Sequence, residues 1–500
     1  MRFALLVFFL TSLSAASTQT RYEALDPTSV REHLAFYELY KDTPEGKKAL
    51  EYAWKLLSGD NQQNTSLHLA FPQNVNACMA LINPSKDDFT LAPEALSHIN
   101  QLGSHFPNRK LKGHAAKTLE EILPLESEQI DLSRALLLSQ YPNEMSKIQT
   151  LEASLDLMAL QVLAKLPKNP TAHDKIQALN QFIFFEMGFR FPPHSAYSGK
   201  IDLFTFLPHV LESRRGVCLG VSTLYLCLAQ RIDLPLEIIT PPGHIYIRYK
   251  EGDKEKNIET TCRGVHIPTE EYLSINTKKL SVRKLKEVIG MAHYNHASSF
   301  LAEQNFEKAR ECYEKATDFM PDDLTLKILY GCSLLLCDQE KQAMKVLKEA
   351  VNCLDDTQVS QNTLLFDLVN KRVDKESLAP YFYYVDHTRE SIIRKKDALE
   401  KACQRSPQFR MGLFQLATCW LQLERESEAI KVLEQYHAQD PNDVTVEFYL
   451  AELYFSRFDA EKCRKHCKNA EKLASKANYT PKILKQFALQ VSIQSPEFTN

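Results

Sequence analysis

Glycine is scarce in this chain, 14 among 500 residues, and no GxxxxGK[ST] or GxGxxG pattern occurs. The usual signatures of mononucleotide-binding and Rossmann domains are therefore missing. An excess of positive charge is missing too: Lys+Arg is 60, Asp+Glu is 63, and the net charge is -3. That balance leaves no electrostatic footprint for a nucleic acid, so no nucleic-acid partner is expected. Beyond the N-terminus there is no run of 18 apolar residues, so no transmembrane segment is expected after signal cleavage. What is present is an apolar content of 44%, enough for packed cores. Abundant Leu, Ala, Glu and Lys with few glycines predict a mostly helical protein. The length predicts two to four domains.

The first residues read as an address. Arg2 precedes the apolar run Phe3 to Leu10, and the small residues Ser14, Ala15, Ala16 and Ser17 follow. This is the order of a secretory signal peptide, with cleavage expected after Ala16 and export to a periplasm or cell envelope if the source is bacterial. Export permits disulfides, but the 12 cysteines do not resemble a staple framework, since only Cys78 precedes Cys218. Cys463 and Cys467, with His466 between them, have metal-like spacing. The repeat register places both thiols in a core, so no metal and no cofactor is expected.

The C-terminal part is repetitive. Ala309, Tyr313, Ala316 and Pro321 are spaced by offsets of 4, 7 and 12. The same offsets recur at Ala343, Leu347, Ala350 and Asp355, and at Ala429, Leu433, Tyr436 and Pro441. Cys463, Cys467 and Ala470 begin a further copy, and Leu399, Ala402 and Pro407 form a weaker one. Ala309 and Ala343 are 34 residues apart, as are Ala429 and Cys463. Ala297, Gly331, Ala417 and Ala451 each precede an anchor by 12 residues, where a small side chain lets two helices approach. This pattern resembles the tetratricopeptide repeat, a helix–turn–helix unit. The stretch from Asp356 to about Thr388 interrupts it, and the aromatic run Tyr381 to Tyr384 within that stretch reads as core. Repeat arrays of this kind usually hold a protein or peptide partner.

The chemistry lies in the middle of the chain. Leu132, Leu136, Leu137, Ile148, Leu151, Leu155, Met158 and Val162 recur at helical spacing, and a second helical run covers Ile176 to Met187. Val221, Leu224, Leu228 and Ile232 share one helical face, which puts Cys218 at a helix start. Free N–H groups and the helix dipole favour an anion there, with Arg214 and Arg215 adjacent and Gly216 allowing the chain to bend. Downstream, Ile245–Tyr249 alternates as a strand after Pro242, Gly243 and His244. Glu251–Lys254 forms a turn, and Asn257–Thr261 returns. A pivot at Gly252 and Asp253 sets Glu259 opposite Tyr246, on the sheet face of His244.

Arg-Arg-Gly-Val-Cys at a helix start, then Pro-Gly-His opening a strand, then Ile-Glu-Thr-Thr on the next, resembles the bacterial transglutaminase-like superfamily over roughly residues 131 to 268. The resemblance implies a papain-like α+β domain followed by an α-solenoid of tetratricopeptide repeats. It also implies a nucleophile at Cys218, a general base and acid at His244, and an orienting carboxylate at Glu259. Glu259 stands where the wider superfamily usually has Asp, and Ile245 where an aromatic residue often follows the His. The expected organisation is a signal peptide at 1–16, a helical region at 17–125, the transglutaminase-like domain at 126–287, repeats at 288–475 and a tail at 476–500. Residues 17–287 are expected to fold without the repeats. The function implied is an exported thiol enzyme cleaving or transferring an amide or acyl group, with the repeats binding a protein partner. The alternative is a non-catalytic interaction platform built from the same parts.

Overall fold

The computed structural model describes residues 17–59, 93–193, 201–386 and 388–494. The signal-peptide expectation, the polar loop at 60–66 and Cys78 lie outside these residues. The N-terminal region is helical as expected: α1 (Thr18–Glu23), α2 (Val30–Leu39), α3 (Pro44–Ser58) and α4 (Pro93–Leu102). Local chemistry sets their ends. Thr43 caps α3 by accepting from the Gly46 amide, Pro44 fits the first turn, and Gly59 ends the helix at φ 75.

The central domain packs α5 (Leu132–Gln140), α6 (Met145–Leu163), α7 (Ala172–Asn180), α8 (Leu207–Ser213) and α9 (Cys218–Arg231) around a small sheet. The run expected from Ile176 to Met187 is not one helix; a π-turn at Gln181–Glu186 follows α7. The sheet contains β1 (Glu237–Thr240), β2 (Tyr246–Glu251), β3 (Lys254–Ile258) and β4 (Ser281–Arg283), in the order β3-β2-β1-β4, with every pairing antiparallel.

A buried charge network fixes α9 against its neighbours. Arg231, 1% exposed, donates to Asp156 from α6 at 2.7 Å and to Ser133 of α5 at 3.2 Å. Arg134 forms two 2.6 Å bonds to Glu152. Asp131 caps α5 and is held well below the usual carboxylate range: burial opposes its charge, but His114, Arg231 and Ser133 outweigh it. With the far end of α9 anchored, its first turn is set against the sheet.

The repeats follow as antiparallel helix pairs: α10 (Leu285–Ala302) with α11 (Phe306–Thr317), and α12 (Leu324–Leu336) with α13 (Glu340–Val351). After the interruption, which holds α14 (Thr363–Val369) and α15 (Lys375–Leu378), come α16 (Arg389–Arg405) and α17 (Arg410–Gln422). The array ends with α18 (Glu426–Gln439), α19 (Val444–Ser456), α20 (Ala460–Lys476) and α21 (Lys482–Gln494). The register positions are core positions: Ala309, Tyr313, Ala316, Ala343, Leu347 and Ala350 are all 0% exposed. Cys463 and Cys467 are buried likewise. A Cβ on Gly331 would lie 2.6 Å from Leu347, which is the close approach that the small-residue position predicts. In the aromatic run, Tyr381 and Phe382 pack on the core while Tyr384 is exposed.

One hydrophobic core runs without a break from Val30 through the central domain and the first repeats to Phe409. At its middle, α10 packs on α5, His293 meets Ser139 at 3.0 Å, and His296 stands edge-on to Phe206. The packing therefore continues across residue 287. A second core fills the later repeats and takes in Ile275 from the segment before β4.

Candidate functional site

Cys218 is the first residue of α9 and is half-buried. Val217 precedes it with no side-chain cap, so the first-turn amides remain available. Gly220, within the first turn, is required by packing, since a Cβ there would fall 2.1 Å from the Phe204 carbonyl oxygen. His244 enters from a tight turn in which Gly243 takes φ 71, a left-handed conformation that favours glycine. The β2–β3 register pairs Ile247 with Ile258 and Glu251 with Lys254, so the chain reverses at Gly252 and Asp253. Carried one residue further, this register sets Glu259 level with Tyr246.

The structure brings the three predicted residues together. The His244 Nε2 lies 2.7 Å from Glu259 Oε2. Cys218 and His244 line the same two cavities, and the thiol is one of the groups that raise the His244 pKa. Glu259 is 2% exposed and saturated with donors. Its Oε1 accepts from the Thr261 amide at 3.1 Å and the Thr261 hydroxyl at 2.6 Å, and its Oε2 accepts from the Tyr272 hydroxyl at 2.5 Å. Tyr272 also stacks on His244, at 5.9 Å between centroids, and on Tyr246, at 4.3 Å.

The electrostatics follow. Burial alone would raise the Glu259 pKa, but bonds from His244, Thr261 and Tyr272 bring it down to about 2. Burial alone would lower the His244 pKa, yet its bonds to Cys218 and Glu259 push it up to about 10. Burial, then the bond to Glu259, drives the Tyr272 phenol far above its ordinary value, so it remains a donor. At neutral pH the site holds an imidazolium between a carboxylate and the sulfur.

Two openings meet at this pair. One is a cavity of about 570 Å³ lined by Phe191, Thr205, Cys218, His244, Thr261 and Asn295 among others. The other runs from Cys218 and His244 past Pro241 to Tyr294, Asn295 and Leu324 of the repeats. Neither is lined by Arg214 or Arg215, which the sequence places beside the thiol. Arg214 ends α8 in a left-handed conformation, and its guanidinium donates to the Met187 carbonyl at 3.4 Å. Sequence reasoning missed Tyr272 and gave Thr261 no role; Thr261 lay within the quoted Ile-Glu-Thr-Thr, whereas Tyr272 carries no motif.

Two clusters elsewhere have metal-ligand composition. His437, Glu447 and His466 converge in the late repeats, and His114, Asp131 and Glu152 in the central domain. In the first, both imidazoles and Asn469 already satisfy the carboxylate, at 3.0, 2.6 and 3.0 Å. In the second, Arg134 and Arg231 supply the countercharge. Among the described residues the cysteines form no disulfide. Burial pushes the thiols of Cys403 and Cys467 to about 12, and those of Cys337 and Cys463 to about 11.

Comparison with known proteins finds a family match in the central domain. F-box only protein 21 of Mus musculus and that of Homo sapiens are each 22% identical over 245 residues, 44% of this chain. That alignment spans 36% of those relatives' length, so the chain covers about a third of them. Among solved structures, one of MamA matches at 16% identity over 38% of this chain and 98% of its own, with a TM-score of 0.19. YrrB, described as a TPR protein with an unusual peptide-binding site, matches at 16% over 40% of this chain and 92% of its own, with a TM-score of 0.20. The repeat architecture here stands on its own helix pairs and 34-residue register. Residues 149–289 match the profile of the Transglutaminase-like superfamily, and with the helix-start Cys and antiparallel sheet the chain carries a transglutaminase-like domain.

Proposed function

We propose that this chain is a thiol enzyme that cleaves or transfers an amide or related acyl group through a thioester on Cys218. The convergence of Cys218 with His244, which is hydrogen-bonded to Glu259, at an open cavity carries this reading. The Cys218 sulfur attacks the carbonyl carbon and a C–S bond forms. His244 gives its proton to the leaving nitrogen as the C–N bond breaks. Water or an amine then attacks the thioester, returning a proton to His244 and releasing the sulfur. Glu259 holds the ring and stabilises its cationic form, and Tyr272 and Thr261 hold Glu259. The Cys218 backbone N–H at the open helix start is one donor for the carbonyl oxygen.

The proposal extends to a protein or peptide partner held by the repeat array, and to export, which rests on the N-terminal residue order. Among the described residues no helix is long and apolar enough to cross a membrane. The test is peptide-resolved labelling with iodoacetamide below pH 7. Cys218 is expected to alkylate fastest of the 12 cysteines. Uniform labelling, or protection of Cys218 in the folded protein, removes the enzyme reading and leaves an interaction platform.

A further inference from the structure

Five arginines gather on one stretch of the central domain, residues 185–190. The Arg31 guanidinium, at the start of α2, donates to the Glu186 carbonyl at 2.6 Å and to the Met187 sulfur at 3.4 Å. Arg214 donates to the next carbonyl, that of Met187. The Arg263 guanidinium lies 5.8 Å from the Phe185 ring centroid. Arg190 forms an isolated parallel bridge with Arg215, its amide donating to the Arg214 carbonyl at 3.2 Å and its carbonyl accepting from the Gly216 amide at 3.1 Å. Glu186 is the acid within this stretch, and Lys165 already pairs with it at 3.0 Å. Arg31, Arg214 and Arg215 are half-buried. Elsewhere buried and half-buried arginines sit on carboxylates, as Arg134 does on Glu152, Arg231 on Asp156 and Arg283 on Asp323. Among the described residues no carboxylate lies within 4.0 Å of any of the five arginines at this stretch. The carbonyls that hold Arg31 and Arg214 fix their place but cancel no charge. Burial, then the charge on Arg31, lowers the Arg214 pKa. Guanidiniums withdrawn from water without a counter-ion are costly, and each of these keeps further N–H groups for another acceptor.

We propose that residues 185–190 and these five arginines form a docking strip for an acidic segment of a protein partner. The strip lies on the central domain, apart from the repeats, and does not depend on whether Cys218 reacts. A planar guanidinium matches a carboxylate through two parallel N–H groups, so the missing countercharge is of the kind that Asp and Glu side chains supply. The arginines meet the chain at successive points, from Phe185 through Glu186 and Met187 to Arg190, which suits several carboxylates along one polypeptide better than one small oxyanion. Phe185, 58% exposed, adds an apolar contact among the charges. The π-turn at Gln181–Glu186 shapes this stretch, and such turns are frequent at functional sites. Phe191, the next residue, lines the cavity that holds Cys218, so a segment docked on the strip ends at the mouth of that cavity.

Fluorescence anisotropy on the full chain tests this with labelled hexaglutamate and labelled hexaglutamine peptides. Hexaglutamate is expected to bind, more weakly as salt rises, and hexaglutamine is not. Arg214→Gln is expected to weaken hexaglutamate binding about tenfold, the loss of one charge-assisted pair. Arg190→Gln, at an exposed position that leaves the packing intact, is expected to weaken it about threefold. Arg394→Gln, at an exposed position of α16, is expected to change nothing. Absence of hexaglutamate binding overturns the proposal. Equal binding of the two peptides, or an equal loss in Arg394→Gln, means that no strip reads the carboxylates, and overturns it as well. If Arg190→Gln and Arg214→Gln bind like the parent chain, the acidic segment docks elsewhere and the proposal falls. If a hexathymidylate strand displaces hexaglutamate and binds more tightly, the arginines serve phosphates, which also sinks the acidic-protein reading.

Discussion

Tyr272 does two jobs with one ring: its hydroxyl donates to Glu259 and its face covers His244. Removing the hydroxyl leaves the stacking but takes away one of the donors that keep Glu259 ionised. Tyr272→Phe should therefore bring the His244 pKa down from about 10 by less than Glu259→Gln does, since Glu259 bonds the ring directly. Imidazole titration by NMR gives the order, and an equal shift in both variants contradicts it. The same pair sets a pH dependence of stability. His244 is raised from 6.5 to about 10, so its contribution is complete below 6.5 and is lost as pH rises through 10. Glu259 is lowered from 4.5 to about 2, so its contribution is complete above 4.5 and is lost as pH falls through 2. The stability gap between the parent and Glu259→Gln should be widest between those two ordinary values, 4.5 and 6.5, and narrow on either side. Urea unfolding at a series of pH values measures it, and a gap independent of pH removes the ion pair from the account. If turnover is found, Glu259→Gln should weaken it far more than folding, because an amide cannot stabilise the imidazolium.

At the scale of elements, features whose signal is local were legible in the sequence. The helix start at Cys218 follows from apolar spacing after Gly216, and the hairpin follows from alternation around Gly252 and Asp253. The repeats follow from small residues at fixed offsets. The strands β1 and β4 escaped because four and three residues are too short to show alternation. Tyr272 escaped because a short 3-10 turn between β3 and β4 brings it back over His244, a placement that no periodicity encodes. The small-residue rule makes its own prediction at Gly331, where an added Cβ meets Leu347. Gly331→Val should destabilise the protein by about 1–3 kcal/mol through overpacking. Leu347→Ala in the same chain should recover part of that loss, because the two changes share one space. Thermal or urea unfolding of the three variants reads this, and strictly additive losses would show that the helices do not meet there.

At the scale of the whole molecule, the cleft at Cys218 and the repeats are tied at two places. The first is α10, whose buried residues Val288, Ile289 and Ala292 belong to the same core as α5 and α9. The second is a strap over residues 274–278. Ile275 enters the core of the later repeats, the Lys278 amide donates to the Thr357 carbonyl at 2.9 Å, and the Val359 amide donates to the Asn276 carbonyl at 2.8 Å. Tyr479 bonds the Ser274 carbonyl at 3.0 Å. The interruption of the repeat register is thus where the array grips the strap, which begins two residues after Tyr272. A chain ending at residue 287 keeps only the first three residues of α10, exposes the surface that Val288 and Ile289 cover, and frees the strap from these repeat partners. Residues 17–287 alone are therefore expected to lose cooperative unfolding and the fast alkylation of Cys218, against the separable unit that the sequence predicts. Residues 17–386 keep α10 to α15 and the grip at 357–360, and should retain both. Circular dichroism melts and labelling rates on the two fragments decide this. If 17–287 melts cooperatively and labels at the rate of the full chain, the shared core is mere contact and the cleft belongs to the domain alone.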